Sequence, residues 1–469
     1  MRRILVTALL FCVLAPQASA STRQDVTLTM SDGVQIAGSV YVPDGAPPTG
    51  GWPGVMALHG LNGSRSQLAT LAGGTLAGYA VLTYDARGHG ASGGQITVDG
   101  PREIADVREL FAWFAGRADV RDDRIGAWGI SYGGGAIMRA AVEGVPFAAL
   151  ETVESWTDFY SALLPQDLAK TGVITGFVSG MRPDAISPIV AALRDDAYAG
   201  RNHAQIRAFA RDRSTRHLLP GLHTPTYFFQ GRRDFVFGLE QAKAGYAAVR
   251  GPKHLYIGPF GHPPSTFPGA DQIPMGLHIR RWFDRFLKDE PNGIDREAPI
   301  SVVPEGFRDA RGGTVYGFRS LPKTQTVSIP LAGTRTIATT GRVVRTGGRT
   351  QDTVEVFGAP VVKVTARSSG GWSRLVATLT ATTPRGKEIV ITAGGVRTRP
   401  GRRTYAIRLI DQTTLVPARS NLRLVLAGDT LKQNPGNLLY LDLPMPTGAR
   451  VTIGKATLRL PVLHRPISR

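Results

Sequence analysis

The sequence predicts an α/β fold on a mostly parallel sheet, with a helical cap inserted into it and an all-β sandwich after it. Three observations carry this. From residue 55 to 153, short apolar runs alternate with longer amphipathic segments, the rhythm of strand–helix–strand units. Residues 155–221 break that rhythm, keeping helix-prone stretches and losing the strands. From about residue 300 the helical period vanishes, and short alternating segments follow one another between turn residues.

Taken in order, the first twenty residues stand apart. Arg2 and Arg3 precede an apolar run over 4–14, and Ala18-Ser19-Ala20 offers a small-residue cleavage site. This is the layout of a secretory signal peptide cleaved after Ala20. The run is too short for the roughly 20 residues that span a bilayer. The expected product is secreted or periplasmic, without an integral membrane segment. Cys12 follows Phe11 rather than a small residue, so it does not read as a lipid attachment site. It is the single cysteine, which leaves the mature chain with no disulfide and no thiol nucleophile.

Residues 25–42 alternate polar and apolar around Ser31-Asp32-Gly33, as a hairpin does. Buried strands are expected at 55–58 and 79–84. A helix is expected at 101–115, opened by Pro101, with Ile104, Val107, Leu110, Phe111 and Phe114 on one face. Strand 124–130, helix 132–142 and strand 147–153 follow. The cap at about 155–221 contains helix-prone 187–199 and 204–211. The rhythm then resumes with strand 226–230, helix 240–249, strand 254–257 and helix 278–287. These elements define an α/β domain over 21–298. Residues 299–469 form the sandwich, with strands such as VVKVTARS and NLRLVLAG.

With 42% apolar and 19% charged residues, the composition is that of a folded globular chain. The formal charge is +19, and loss of Arg2 and Arg3 leaves +17. The basic residues read as widely spread and are not interleaved with aromatics. We therefore expect a generic basic surface and no nucleic-acid partner.

The chemistry is concentrated in a few short segments. Gly129-Ile130-Ser131-Tyr132-Gly133 is G-x-S-x-G between a predicted strand and a predicted helix. A serine on such a turn is pushed out above the sheet, and small neighbours let strand and helix close the corner. A serine hydroxyl needs a base, and the base needs an acid to orient it. His262 lies in Gly258-Pro259-Phe260-Gly261-His262, directly after the last predicted strand of the α/β region. Asp234 lies in Gly231-Arg232-Arg233-Asp234, after the strand before that. Of the other histidines, His254 sits within a strand, while His203, His217 and His223 come too early. The alternative acids are Glu240, on a helix, and Glu154 or Asp158, after an earlier strand. Oxyanion donors are expected from the backbone N–H of Tyr132 and of Leu61, in the loop His59-Gly60-Leu61-Asn62-Gly63. His59 reads as a structural residue of that loop. No metal-ligand spacing and no phosphate-cradling loop is evident, so no metal or cofactor is expected.

Together with Asp85-Ala86-Arg87-Gly88-His89-Gly90, these segments resemble those of the Xaa-Pro dipeptidyl-peptidase (S15) and cocaine-esterase-like (CocE/NonD) hydrolases. Val356-Phe357-Gly358-Ala359-Pro360 is similar to the entry strand of that family's jelly-roll domain. The resemblance implies an α/β-hydrolase fold with a jelly-roll-like sandwich beside it and a triad of Ser131, Asp234 and His262. It implies a small ester or a short peptide as substrate. One departure stands out: the loop from His59 to Ser64 has no tyrosine to supply an oxyanion hydroxyl. The expected activity is acyl ester hydrolysis. The alternatives are removal of Xaa-Pro dipeptides, for which Glu151, Glu154 and Asp158 could hold the substrate amine, and a degenerate hydrolase serving as a binding protein.

Overall fold

The computed structural model describes residues 21–262, 269–303, 316–430, 439–441 and 443–463, with only the backbone described over 269–274. The expected signal peptide lies outside these residues.

The expected hairpin forms from β1 (Ser21–Thr29) and β2 (Gln35–Pro43). Next come β3 (Trp52–Leu58), β4 (Ala80–Tyr84), α1 (Pro101–Ala115), β5 (Val120–Ile130), α2 (Tyr132–Val142) and β6 (Leu150–Val153). The cap contributes α3 (Phe159–Leu163), α4 (Thr171–Ser179), α5 (Pro188–Ala199) and α6 (His203–Arg211). The sheet resumes with β7 (Thr226–Gly231), α7 (Leu239–Ala248), β8 (Lys253–Gly258) and α8 (Gly269–Leu287). It ends on β9 (Ile300–Val302) and β10 (Tyr316–Phe318), so the first sheet takes two strands beyond residue 298. Its order is β1-β2-β4-β3-β5-β6-β7-β8-β9-β10, parallel from β4 through β9.

Local chemistry accounts for the elements that place the site. Helix α1 starts where Gly100 N–H donates to Glu103 Oε2 at 2.6 Å, with Pro101 at its first position. Its predicted face packs inward: Ile104, Val107, Leu110, Phe111 and Phe114 are all buried. β3 and β5 are paired in the middle of the sheet, with helices on both sides burying their apolar residues in two separate cores. The strands after which function is expected therefore all end on one edge, as parallel strands require.

Two antiparallel sheets follow. Their strands are β11 (Thr324–Leu331), β12 (Arg335–Ala338), β13 (Arg342–Arg349), β14 (Val354–Gly358), β15 (Val361–Ser369), β16 (Arg374–Thr382), β17 (Glu388–Arg397), β18 (Gly401–Arg408), β19 (Gln412–Val416), β20 (Asn421–Ala427) and β21 (Arg450–Leu463). One sheet runs β18-β15-β21-β14-β19, with β11 and β12 also on β21; the other runs β13-β20-β16-β17. Alternating residues such as Val362, Val364, Leu375 and Leu424 fill the space between them.

The sandwich is tied into the α/β part by buried and part-buried polar contacts. Arg232, just before Asp234, donates to Val303 O at 2.6 Å and forms a buried ion pair with Glu355 of β14. Arg233 donates to Val390 O at 2.6 Å, and Lys243 pairs with Asp411 at 2.7 Å. On the cap side, Gln166 donates to Gly395 O and Arg397 to Asp167 O. Val376, Val390 and Ile410 of the sandwich join the same apolar cluster as the cap helices. Among the described residues, no helix is long and apolar enough to cross a membrane.

Candidate active site

Ser131 occupies the corner between β5 and α2 with φ 54° and ψ −113°, a conformation that side-chain-bearing residues seldom adopt. The flanking glycines are required there. A Cβ at Gly129 would stand 2.3 Å from Gly133 O, and one at Gly133 would stand 2.4 Å from Leu58 O. Ser131 N–H donates to Val153 O at 2.7 Å, and Ser155 Oγ donates to Ser131 O at 2.8 Å. The strained turn is thus held from the neighbouring strand.

The loops after β7 and β8 bring the other two residues to it. His262 Nε2 lies 2.8 Å from Ser131 Oγ, and its Nδ1 lies 2.6 Å from Asp234 Oδ2. Asp234 is fully buried, and its Oδ1 accepts from Val236 N–H at 2.8 Å and Phe237 N–H at 3.0 Å. Its neighbours Arg232 and Arg233 both reach toward the sandwich, which leaves this carboxylate facing the imidazole. The Phe237 ring packs edge-on against His262 at 5.3 Å. The chain Asp–His–Ser can move a proton from the hydroxyl to Nε2 while the carboxylate fixes Nδ1–H.

Leu61 and Tyr132 border the same cavity as Ser131. Among the described residues, neither backbone N–H has an intramolecular acceptor, so both are available as donors. The loop carrying Leu61 is shaped by His59, whose Nε2 accepts from Ala86 N–H at 3.0 Å and whose Nδ1 lies 2.7 Å from Gly60 O. Burial pushes His59 below its ordinary value and His89, packed edge-on against it at 5.1 Å, down to about 4. Both imidazoles are neutral supports. In the Asp85–Gly90 segment, Asp85 accepts from Arg65 N–H at 2.7 Å and Ala91 N–H at 2.9 Å. Arg87 pairs with Asp106 at 2.7 Å.

The cavity above Ser131 measures about 770 Å³ with its open mouth. Its wall is apolar: Val98, Trp156, Phe159, Ile174, Phe177, Leu193, Ile206 and Phe237 are among its residues. Most come from the cap. Among the described residues, Arg194 is its one charged side chain. The acids considered for binding a substrate amine do not line it. Glu151 is buried within the sheet, Glu154 is buried beside His262, and Asp158 caps α3 by accepting from Ser161 N–H at 3.0 Å. The alternative in which these three hold an amine gains no support from their placement: two are buried away from the cavity and the third caps a helix.

Two buried groups near the site carry no sequence motif. Glu154 follows β6 with φ 48°, and its Oε2 lies 3.9 Å from His262 Nδ1. Burial, and then the Asp234 charge, pushes its carboxyl well above the usual range, which favours the uncharged acid. The second group is Lys170, at the entry to α4. Its Nζ donates to Phe235 O at 3.1 Å and Val236 O at 2.7 Å, which ties the cap to the acid's loop. Burial lowers it to about 8 against the pull of Glu240 and Asp234. Glu154 enters the sequence reading only as a distant alternative acid, and Lys170 is marked only by being an isolated lysine in an apolar stretch. Glu154, Asp234 and His262 also place ligand atoms within 4.8 Å of one another. This is a cluster that sequence spacing gave no reason to expect. A cation there would have to displace the 2.6 Å contact between His262 and Asp234.

Fold and site together define a hydrolase of the α/β type. Within that class, the model of the X-Pro dipeptidyl-peptidase (S15) family matches residues 32–264. The chain superposes over nearly its whole length on a CocE/NonD family hydrolase from Staphylococcus aureus, at TM-score 0.74 and 15% identity, covering 94% of each chain. It is similar in fold to an α-amino acid ester hydrolase, at TM-score 0.66 and 15% identity over 96% of this chain and 98% of the other. An aminopeptidase from a marine sediment Thaumarchaeota archaeon matches at TM-score 0.67 and 13% identity, over 95% and 97%. At such identities the likeness is one of fold. In sequence, the quorum-quenching protein AidA of Acinetobacter baumannii is 30% identical over 170 residues, which cover 34% of this chain and 52% of the relative. The chain therefore spans about half the length of that curated relative.

Proposed function

We propose that the protein is an exported serine esterase that cleaves esters of uncharged, apolar acyl groups through an acyl-enzyme. The observation that carries this is a single juxtaposition. The Ser131–His262–Asp234 hydrogen-bonded chain opens into a cavity walled by apolar cap residues. The export part rests on the first twenty residues of the sequence.

Ser131 Oγ attacks the ester carbonyl as its proton passes to His262 Nε2. The carbonyl oxygen becomes an oxyanion beside the N–H groups of Tyr132 and Leu61. The C–O bond to the leaving group breaks, and His262 returns the proton to the departing alkoxide. Water then adds to the acyl-enzyme while His262 takes its proton, and the acid leaves as Ser131 is restored. The acyl chain rests among Trp156, Ile174 and Phe177, where apolar contact is favourable and a free ammonium would be left unpaired.

A panel of p-nitrophenyl esters from acetate to decanoate, run beside Gly-Pro-p-nitroanilide, tests the reading. We expect kcat/KM to rise with chain length to a maximum and the anilide to be inert. Preferential cleavage of Gly-Pro-p-nitroanilide would replace the esterase reading with the peptidase one.

A further inference from the structure

The positive charge of this chain is not spread evenly. Residues 319–469 hold 24 Lys and Arg against 6 Asp and Glu, so they carry +18 of the formal +19. Residues 1–318 are nearly neutral, with 31 against 30. The expectation of a generic basic surface fails at this point, because strand register gathers the charge further.

In β15, Val362, Val364 and Ala366 point into the sandwich core, so Lys363 and Arg367 point outward, and both are exposed. Their neighbours follow from pairing. Arg367 stands opposite Arg402 of β18, and Val361 stands opposite Arg408 on one side and Arg459 of β21 on the other. Arg450 begins β21 opposite Ser369. All six cations are exposed, and among the described residues none is in an ion pair. The sheet that carries them has a single acid, Glu355, which is buried against Arg232. Like charges directly opposite on neighbouring strands, as Arg367 and Arg402 are, destabilise a sheet unless an anion neutralises them.

We propose that this outer face of the β18-β15-β21 sheet is a docking surface for an anionic phospholipid bilayer. Guanidinium groups match phosphate oxygens in paired hydrogen bonds. Neighbouring strands stand about 5 Å apart and alternate outward residues about 7 Å apart, so the cations form a two-dimensional field. Such a field suits a planar charged surface. A single polyanion strand is usually held in a groove with stacking aromatics, and here the outward residues between the cations include Val361, Thr365, Thr404, Ala406, Thr452 and Thr457. With no large apolar group on the face, attachment is peripheral and driven by charge.

Co-sedimentation of the purified chain with phosphatidylcholine vesicles, with and without phosphatidylglycerol, tests this. Binding is expected only to the phosphatidylglycerol vesicles, and salt well above physiological strength should release it. The triple variant Arg367→Glu, Arg402→Glu, Arg459→Glu should bind about tenfold or more weakly, with an unchanged circular dichroism spectrum and melt. The corresponding triple Lys variant keeps the charge and should retain most of the binding, which separates loss of charge from loss of fold. The proposal is overturned by equal binding to neutral vesicles, by undiminished binding of the Glu variant, or by capture on heparin or DNA without binding to phosphatidylglycerol vesicles.

Discussion

At the scale of single residues, the site depends on which groups are charged and which are neutral. Asp234 meets His262 at 2.6 Å and fixes Nδ1 as the protonated nitrogen. Asp234→Asn keeps the shape but can donate to Nδ1, which favours the wrong tautomer. We expect kcat on a p-nitrophenyl ester to fall by about 10³–10⁴-fold with KM little changed. Glu154 behaves differently although it stands 3.9 Å from the same nitrogen. Burial favours the uncharged form of its carboxyl, which Glu154→Gln preserves, and turnover at pH 7 should stay within about threefold. Stability gives the complementary signature. The folded Glu154 keeps its proton far above the ordinary value of 4.5, while the unfolded side chain loses it there. Wild type therefore loses stability as pH rises above that value, and the Gln variant does not. Melting curves should show the variant gaining on wild type between pH 5 and pH 8. Ser131, His262 and Asp234 were all legible in the sequence, because each follows a predicted strand in a short glycine-containing loop. Glu154 was legible only as a distant alternative acid, since the fold rather than any motif brings it behind the imidazole.

At the scale of elements, the division of labour is between a rigid sheet edge and the cap. β5, β7 and β8 end on one side of the sheet, and three loops from those ends hold Ser131, Asp234 and His262. The cap supplies most of the cavity wall and is anchored by Lys170 to the carbonyls of Phe235 and Val236. The cap was legible as helices without strands, but its role was not. An apolar cavity assembled from α4, α5 and α6 depends on how those helices cross, and periodicity says nothing of crossing. Ile174, on α4, lines the cavity and is nearly buried. Ile174→Trp should shift the preferred p-nitrophenyl ester to shorter acyl chains, lowering kcat/KM for octanoate by about tenfold while sparing acetate.

At the scale of the molecule, the sandwich braces the α/β part. It meets the loop of the acid through Arg232 and Glu355, both buried. Removing one partner of a buried pair strands the other charge. Glu355→Ala should lower unfolding free energy by about 3–5 kcal/mol in urea titrations. The change from α/β to all-β pattern near residue 300 was visible in the sequence. Strands β9 and β10 were hidden, because three-residue strands at a sheet edge carry too little pattern to read. The charge of the sandwich was present in the counts, yet its gathering on one face emerges only from register. A one-residue slip would send Arg367 into the core, so the same alternation that packs the sandwich sorts the cations outward.

The most direct test of the central claim is labelling of the protein with a fluorophosphonate, followed by mass spectrometry of the labelled peptide. The adduct is expected on Ser131, with labelling and ester turnover both lost in a folded Ser131→Ala variant. An adduct on another residue, or undiminished ester turnover in that variant, would contradict the assignment of Ser131 as nucleophile.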